Sequence, residues 1–167
     1  MPIPVVTISQ MREWEQATWA AGQTPDAVIR RVGECLARRA LTLSRDGDFI
    51  LILAGRGHNG DDARCAEPHL AGRRVEVLWI RDPAASRPAL AAALGKRPGL
   101  VIDGLFGIGL NRPLDPAWIG LVAALNAAQV PVLSVDVPSG IDADTGEALG
   151  AAVEASVTLT LGAPKVG

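Results

Sequence analysis

The stretch FILILAGRGHNGDD at residues 49–62 decides the fold of this chain. It begins with the apolar run FILILA, which is rich in branched side chains and too short to be a buried helix. Such a run is typical of a strand that is covered on both faces, as in a parallel sheet. Glycines with the spacing GxGxxG follow, and glycine permits tight turns and a close approach of backbone to a ligand. Two acids then suit the first turn of a helix, so the stretch predicts a strand, a glycine-rich loop and a helix whose free N–H groups point at a ligand.

Helices and strands alternate along the rest of the chain. Apolar spacing predicts helices at residues 9–22, 25–44, 61–72, 83–95 and 115–128, the first of them amphipathic with Met11, Trp14 and Ala17 on one face. Apolar runs predict strands at residues 49–54, 75–80, 100–102, 130–137 and 155–161. Pro68 should kink the third helix or end it early, because proline lacks the N–H that a helix interior needs. The alternation predicts a Rossmann-like α/β fold with three layers, α/β/α, around a mostly parallel central sheet.

Composition and charge argue against several classes of protein. The 167 residues suit one domain, and 49% hydrophobic with 20% charged residues fits an ordered globular chain. A net charge of −2 gives no general attraction to nucleic acid or to an anionic membrane. No apolar run approaches the roughly 20 residues of a membrane span, and no secretory signal is visible at the N-terminus. Cys35 and Cys65 form no CxxC pair, so we expect two buried free thiols and a reducing, cytoplasmic location.

Polar side chains follow the predicted strands at the ends where a parallel sheet binds its ligands. Asp103 ends the third strand, Asp136 and Ser139 follow the fourth, and Asn59 lies in the glycine-rich loop. A carboxylate, a hydroxyl and an amide oxygen at one edge suit an alkali or alkaline-earth cation better than zinc, which prefers nitrogen and sulfur ligands. Taken singly, Asp103 is better explained as a capping or turn aspartate, and Asp136 and Ser139 also allow a plain turn.

Two interpretations of the glycine-rich loop stay open at this point. The spacing of Gly55, Gly57 and Gly60 matches a dinucleotide-binding fingerprint, but a tight strand-to-helix turn needs glycine as well. The acid that binds the ribose hydroxyls in NAD dehydrogenases is missing, because the next strand ends with Trp-Ile-Arg at residues 79–81. An ordinary NAD dehydrogenase is therefore disfavoured.

Four motifs together resemble one known family. They are A-G-x-G-x-N-G-x-D at residues 54–62, D-G-L-F-G-I-G-L-x-R-P at 103–113, S-V-D-V-P-S-G-I-D-A-D-T-G at 134–146 and T-L-T-L-G-A-P-K at 158–165. Over nearly the whole chain, taken as a single domain of residues 1–167, they resemble the YjeF N-terminal domain, the NAD(P)H-hydrate epimerase family. The resemblance implies a Rossmann-like domain that interconverts the R and S forms of hydrated NADH and NADPH (NADHX and NADPHX). It also implies a partner, an ADP- or ATP-dependent dehydratase, which repairs the S form.

The resemblance implies roles for particular residues. Potassium (K+) ligands fall on Asn59, Asp103 and Ser139. Asp136 would act as acid and base at the hydroxyl-bearing C6 of the hydrated ring. The family's substrate contacts fall on His58, Asn59, Gly60, Asp61, Asp62, Gly107, Ile108, Gly109, Leu110, Asn111, Arg112, Pro113 and Asp136.

The first motif departs from the family's usual N-N-G-G-D-G, since residues 58–63 are H-N-G-D-D-A. Asp61 replaces a glycine and adds a negative charge beside an anionic ligand, which at a separation of about 5 Å costs on the order of 1–3 kcal/mol. An alternative function is therefore a catalytically inactive dinucleotide-binding or dimeric scaffold domain of the same fold.

The assembly of the protein is predicted on the same grounds. The chain stops a few residues past its last predicted strand, so we expect a truncated domain or part of a longer protein in which the dehydratase follows. We also expect a homo-oligomer, with a small-molecule substrate and neither nucleic acid nor membrane as a partner.

Overall fold

A computed structural model describes residues 3–167; Met1 and Pro2, at the start of the predicted domain, lie outside the described residues. Its centre is one sheet of five parallel strands in the order β2-β1-β3-β4-β5. The strands are β1 (Phe49–Ala54), β2 (Arg74–Trp79), β3 (Leu100–Gly104), β4 (Val132–Val135) and β5 (Val157–Leu159). All residues of β1, β3 and β4 are buried, which confirms that the apolar run at 49–54 is a strand covered on both faces.

Helices cover both faces of the sheet. They are α1 (Ile8–Ala20), α2 (Pro25–Leu43), α3 (His58–Arg64), α4 (Pro83–Gly95) and α5 (Pro116–Ala127). One apolar cluster joins α2 and α3 to the sheet through Leu36 and Ala63, and the other joins α4 and α5 to it through Leu90 and Leu121. The three-layer α/β/α architecture with a parallel sheet is thereby confirmed, and the two clusters fix the strand ends that carry the site.

The prediction of a helix at residues 61–72 gives the wrong first residue, but its expected early end near Pro68 is confirmed. Helix α3 begins at His58, because Gly57 with φ 92° turns the chain directly into the helix. It ends at Arg64, and Pro68 lies in a separate 3-10 helix, Glu67–His69. Three residues of the presumed loop, including Asn59, are therefore held by helical backbone rather than by an irregular loop.

Other bounds differ by smaller amounts. The strands predicted at 130–137 and 155–161 shorten to Val132–Val135 and Val157–Leu159, since only these residues pair with a neighbouring strand. Cys35 and Cys65 are free, as predicted, but half-buried rather than buried. Within residues 3–167, no helix is both long and apolar enough to cross a bilayer.

Helix α1 packs differently from the amphipathic helix that the sequence predicts. None of its residues is buried, and Trp14 is 46% exposed. The helix is held at its start, where Thr7 and Gln10 form a capping box and the backbone N–H of Ile8 donates to Asp144 at 2.7 Å. The apolar face of α1 therefore faces a cavity instead of the core.

Candidate active site

A cavity of about 1050 Å³ lies at the rim, which is the edge of the sheet where the strands end. Its walls come from α1, α2, the start of α3, the loop after β3 and the segments that follow β4 and β5. The charged residues among its lining are Arg12, Glu15, Arg31, Arg56, His58, Asp62, Asp136 and Lys165. Trp14 and Trp19 of α1 add aromatic surface. A cavity of this size, with apolar walls and a few polar groups, is typical of a small-molecule site.

The loop between β1 and α3 is shaped by close backbone packing. A Cβ atom at Gly55 would collide with the carbonyl oxygen of Leu105, and one at Gly60 would collide with the carbonyl oxygen of Gly55. Nothing lies within 4 Å of the position that a Cβ atom would take at Gly57. Of the two interpretations of GxGxxG, the tight turn therefore accounts for Gly55 and Gly60, while Gly57 and His58 border the cavity.

Asp103 is the centre of a buried hydrogen-bond network behind the cavity. One carboxylate oxygen accepts from the hydroxyl of Ser139 at 2.6 Å and the N–H of Leu105 at 3.2 Å. The other accepts from the hydroxyl of Ser134 at 2.8 Å and the N–H of Ser139 at 3.0 Å. Burial raises the pKa of Asp103, while these hydrogen bonds act in the opposite direction. The network ties the end of β3 to the segment after β4.

Asn59, at the start of α3, carries an unpartnered amide near the loop that follows β3. The side-chain oxygen of Asn59 would lie 3.0 Å from a Cβ atom at Gly107, and its buried Nδ2 atom has no hydrogen-bond partner among residues 3–167. The nitrogen and oxygen of an amide are interchangeable by a flip, so the same position can present an oxygen. Within the described chain no three His, Cys, Asp or Glu side chains form a metal cluster. Amide, carboxylate and hydroxyl oxygens with one orphaned amide fit a weakly held alkali cation.

Asp136 reaches the cavity from the segment after β4. It adopts a left-handed backbone conformation, φ 68°, which Asp tolerates better than most residues. Its carboxylate pairs with the buried ammonium group of Lys165 and accepts from the backbone N–H of Leu161 at 3.1 Å. Lys165 also donates to the carbonyl oxygen of Leu161 at 2.8 Å. The carboxylate of Asp136 is thus fixed in direction and kept beside a positive charge.

Asp62 is a second buried carboxylate that borders the cavity. It lies on α3, and only 7% of its surface is exposed. Burial raises the pKa of Asp62 from its ordinary 3.8 to about 7, and the negative charges of Asp136, Asp61 and Glu15 add to the effect. The two buried carboxylates of the cavity lining therefore have different surroundings, since Asp136 pairs with a cation and Asp62, among residues 3–167, does not.

The cavity brings together some of the predicted substrate contacts. Those that line it are His58, Asn59, Asp62, Gly107, Ile108, Gly109 and Asp136. Those that lie outside its lining are Gly60, Asp61, Leu110, Asn111, Arg112 and Pro113. Of the predicted potassium ligands, Asp103 and Ser139 hydrogen-bond to each other behind the cavity, and Asn59 lies at its edge.

Asp61 is not directed at the cavity, which bears on the altered first motif. Its carboxylate pairs with Arg64 at 2.7 Å along α3. Ala63, the other altered residue, is fully buried against Gly104, which has no side chain to oppose it. The negative charge expected beside the ligand is therefore balanced by a neighbouring cation, and the extra methyl group fills space in the core.

Several cavity residues were not found by sequence reasoning. Lys165 lies in the fourth motif, but nothing in the sequence places its ammonium group against Asp136, which is 29 residues away. The two tryptophans of α1 and the arginines at positions 12, 31 and 56 were missed as well. The unpartnered apolar stripe of α1 was the available signal, because a short helix with exposed tryptophans usually covers a site or a partner.

The fold and the cavity define an α/β domain with ligand space at the carboxyl ends of its parallel strands. The family model described as YjeF-related protein N-terminus matches residues 81–167. The chain is 43% identical to the NAD(P)H-hydrate epimerase of Achromobacter xylosoxidans, over 94% of this chain and 83% of that protein. It is 36% identical to the NAD(P)H-hydrate epimerase of Limosilactobacillus fermentum, over 97% of this chain and 87% of that protein. The chain belongs to the YjeF-related N-terminal family.

Two further comparisons concern architecture. The chain is 39% identical to the bifunctional NAD(P)H-hydrate repair enzyme Nnr of Gloeobacter violaceus. The alignment spans 98% of this chain but 36% of that protein. A crystal structure of the yeast protein ynu0 superimposes with a TM-score of 0.81, at 22% identity, over 98% of this chain and 82% of the yeast chain. The yeast structure supports the fold, and the bifunctional relative shows that this domain also occurs within longer proteins.

Proposed function

We propose that this protein is an NAD(P)H-hydrate epimerase, an isomerase that interconverts the R and S forms of NADHX and NADPHX in the repair of nicotinamide cofactors. The relatives that carry this name align with nearly the whole chain at 43% and 36% identity. The observation that supports the chemistry is the cavity at the rim, where Asp136 lines the wall and pairs with Lys165. The aromatic residues of α1 and the arginines of the wall suit the bases and the pyrophosphate of a dinucleotide.

In this mechanism Asp136 transfers a proton at the hydroxyl group on C6 of the hydrated ring. Lys165 pairs with the Asp136 carboxylate and, together with the N–H of Leu161, fixes its direction. His58, Gly57 and the loop at residues 107–109 position the remainder of the substrate along the cavity.

Asp136→Asn should abolish epimerisation and leave substrate binding nearly intact, because the amide keeps the shape of the side chain and loses its proton-transfer capacity. We expect a fall in kcat of about 100-fold or more, the usual contribution of a general acid or base. Epimer composition is followed by chromatography, and binding by calorimetry. Unchanged turnover in a folded variant would remove the role of Asp136.

Potassium is the cation that Asn59, Asp103 and Ser139 would hold. When bound, it would supply a fixed positive charge near the anionic part of the substrate. The protein should show a higher Tm in KCl than in choline chloride at equal ionic strength, and Asn59→Ala should remove the difference. R-enriched NADHX should reach equilibrium faster with protein and KCl than with protein in choline chloride. Equal melting and equal rates in both salts would argue against a cation site.

The alternative is a catalytically inactive binding or scaffold domain of the same fold. It rested on the altered first motif, and the pairing of Asp61 with Arg64 weakens that argument. The two functions differ in one measurement, the rate at which R-enriched NADHX equilibrates above its spontaneous rate. A folded protein that binds the dinucleotide without accelerating the reaction would be the scaffold.

The predicted partners and location extend this proposal. A dehydratase that acts on the S form, either fused or separate, would consume the product, and the bifunctional relative is consistent with fusion. The family resemblance suggests a homo-oligomer. The two free thiols suggest a reducing, cytoplasmic location.

A further inference from the structure

We propose that Asp62 is a second catalytic residue, which works with Asp136 on the two faces of the hydrated ring. This inference rests on the proposed function. Asp62 and Asp136 border the same cavity from different elements, α3 and the segment after β4. Both side chains are almost fully buried, each with 7% of its surface exposed. An epimerisation needs groups that act on both faces of one carbon atom, and one carboxylate on a rigid segment reaches only one face.

Two other acids near the rim have structural partners, and Glu15, the remaining acid of the cavity lining, is exposed. Asp103 accepts hydrogen bonds from Ser134, Ser139 and Leu105. Asp61 pairs with Arg64 on the surface of α3. Within residues 3–167, Asp62 belongs to no ion pair, although it is almost fully buried. A buried carboxyl group that no packing partner requires, at the wall of a ligand cavity, is typical of a functional site.

The charges around Asp62 decide which of the two carboxyl groups carries a proton. Asp136, Asp61 and Glu15 are the negative groups that act on it, and burial also disfavours its ionised form. The cations of the cavity wall are Arg12, Arg31, Arg56 and Lys165, with His58 nearby. Of these cations, Lys165 already forms an ion pair with Asp136. The surroundings thus favour a protonated Asp62, whereas the carboxylate of Asp136 pairs with a cation, a difference that suits acid and base catalysis.

The reaction balances with one water molecule leaving and one entering. Asp62 gives its proton to the C6 hydroxyl, the C–O bond breaks, and the bonding electrons leave with water while the lone pair of the ring nitrogen forms a C=N bond. A water molecule then attacks C6 from the other face, forms the new C–O bond and gives a proton to Asp136. Proton exchange with solvent through the open cavity restores both carboxyl groups. The reverse sequence converts the S form to the R form.

The test compares Asp62→Asn with the wild-type protein under conditions in which the wild type accelerates epimerisation. We expect kcat to fall by about 100-fold or more, with KM changed by less than about 3-fold, because the isosteric amide still fills the site and lacks the transferable proton. A variant that keeps the wild-type kcat would overturn the proposal. So would a variant that loses activity only through a large rise in KM, since Asp62 would then be a binding residue.

A second variant covers the case in which Asp62→Asn does not fold. Asp62→Ala leaves space for a small carboxylic acid, so added formate should raise the kcat of this variant by at least about 10-fold. A purely structural role of Asp62 would not give this rescue. Absence of rescue in folded Asp62→Ala would count against the proposal. Glu67→Gln, an exposed acid on the neighbouring 3-10 helix, is the matched control and should keep full activity.

Two different results would refute the epimerase function and the catalytic role of Asp62. If the wild-type protein does not accelerate the approach to equilibrium, the proposed function fails and the role of Asp62 fails with it. If the wild type is active and Asp62→Asn is equally active, only the role of Asp62 fails.

Discussion

Asp62, the proposed second catalytic residue, should also affect the stability of the folded protein. Its carboxyl group is buried without a cation partner, so its ionised form destabilises the folded state. In the unfolded chain the same group would ionise near its ordinary value of 3.8. The group therefore takes up a proton on folding between pH 3.8 and about 7.

Unfolding measurements at two pH values should reveal this difference. Because the pKa of Asp62 is raised in the folded state, its contribution to stability is fully present below pH 3.8 and is lost as pH rises through about 7. The shift corresponds to at most about 4 kcal/mol. We expect Asp62→Asn to unfold in urea with a free energy similar to that of the wild type at pH 5 and about 2 kcal/mol higher at pH 8.

Glu67→Gln serves as the reference for that comparison, since its exposed side chain should give the same difference from wild type at both pH values. Equal urea stability of Asp62→Asn and wild type at pH 8 would contradict the raised pKa. A gain in stability at the expense of turnover is what a residue kept for catalysis is expected to show.

At the scale of elements, the junction of β1 and α3 holds the rim together. Gly60 lies on the first turn of α3 and contacts the carbonyl group of Gly55, which itself lies against Leu105 after β3. The close approach of these backbones leaves no room for a side chain. The position of Asn59, and with it the proposed cation site, depends on this contact.

Gly60→Ala should therefore destabilise the protein, by about 2–4 kcal/mol, because its Cβ atom would overlap backbone that cannot move freely. Thermal unfolding with the same scan conditions measures the change. Gly95→Ala is the matched control, since nothing lies within 4 Å of the new Cβ atom and α4 ends there. Alanine there should leave the Tm unchanged or raise it slightly. Equal Tm values for the two variants would contradict the packing argument.

Sequence reasoning reached the elements more easily than the contacts between them. The branched apolar run at 49–54 dictates a buried strand whatever follows it, and Asp103 and Asp136 stand at strand ends that a parallel sheet must bring to one edge. The start of α3 was missed because Gly60 is a poor helix former whose helical place depends on packing against Gly55. The pairing of Lys165 with Asp136 and the burial of Asp62 depend on distant segments, which no local pattern encodes.

At the scale of the whole molecule, one surface patch bears on the predicted homo-oligomer. Val6 and Lys165 form a parallel bridge, which joins the segment before α1 to the C-terminal segment. Ile3, Val5 and Val166 are 75%, 59% and 55% exposed. Several exposed aliphatic side chains on two joined segments are frequent at interfaces between subunits.

Light scattering on the purified protein tests that prediction. If the patch is a subunit interface, the wild type should have the mass of a dimer or larger oligomer, and Val5→Glu should shift it toward the monomer because a charge would be buried. Thr158→Glu, on the exposed part of β5, is the control and should not change the mass. A monomeric wild type at micromolar concentration would show that the prediction is wrong.

Helix α1 has no buried residue, although it forms one wall of the cavity. A segment with so few packing contacts opens and closes at little free-energy cost, so its amides should exchange with solvent long before those of β1. When a dinucleotide lies against Trp14 and Trp19, that freedom is lost, and part of the binding energy is spent on ordering the helix. Affinity for the substrate is then set as much by the entropy of this one helix as by the groups that contact the ring.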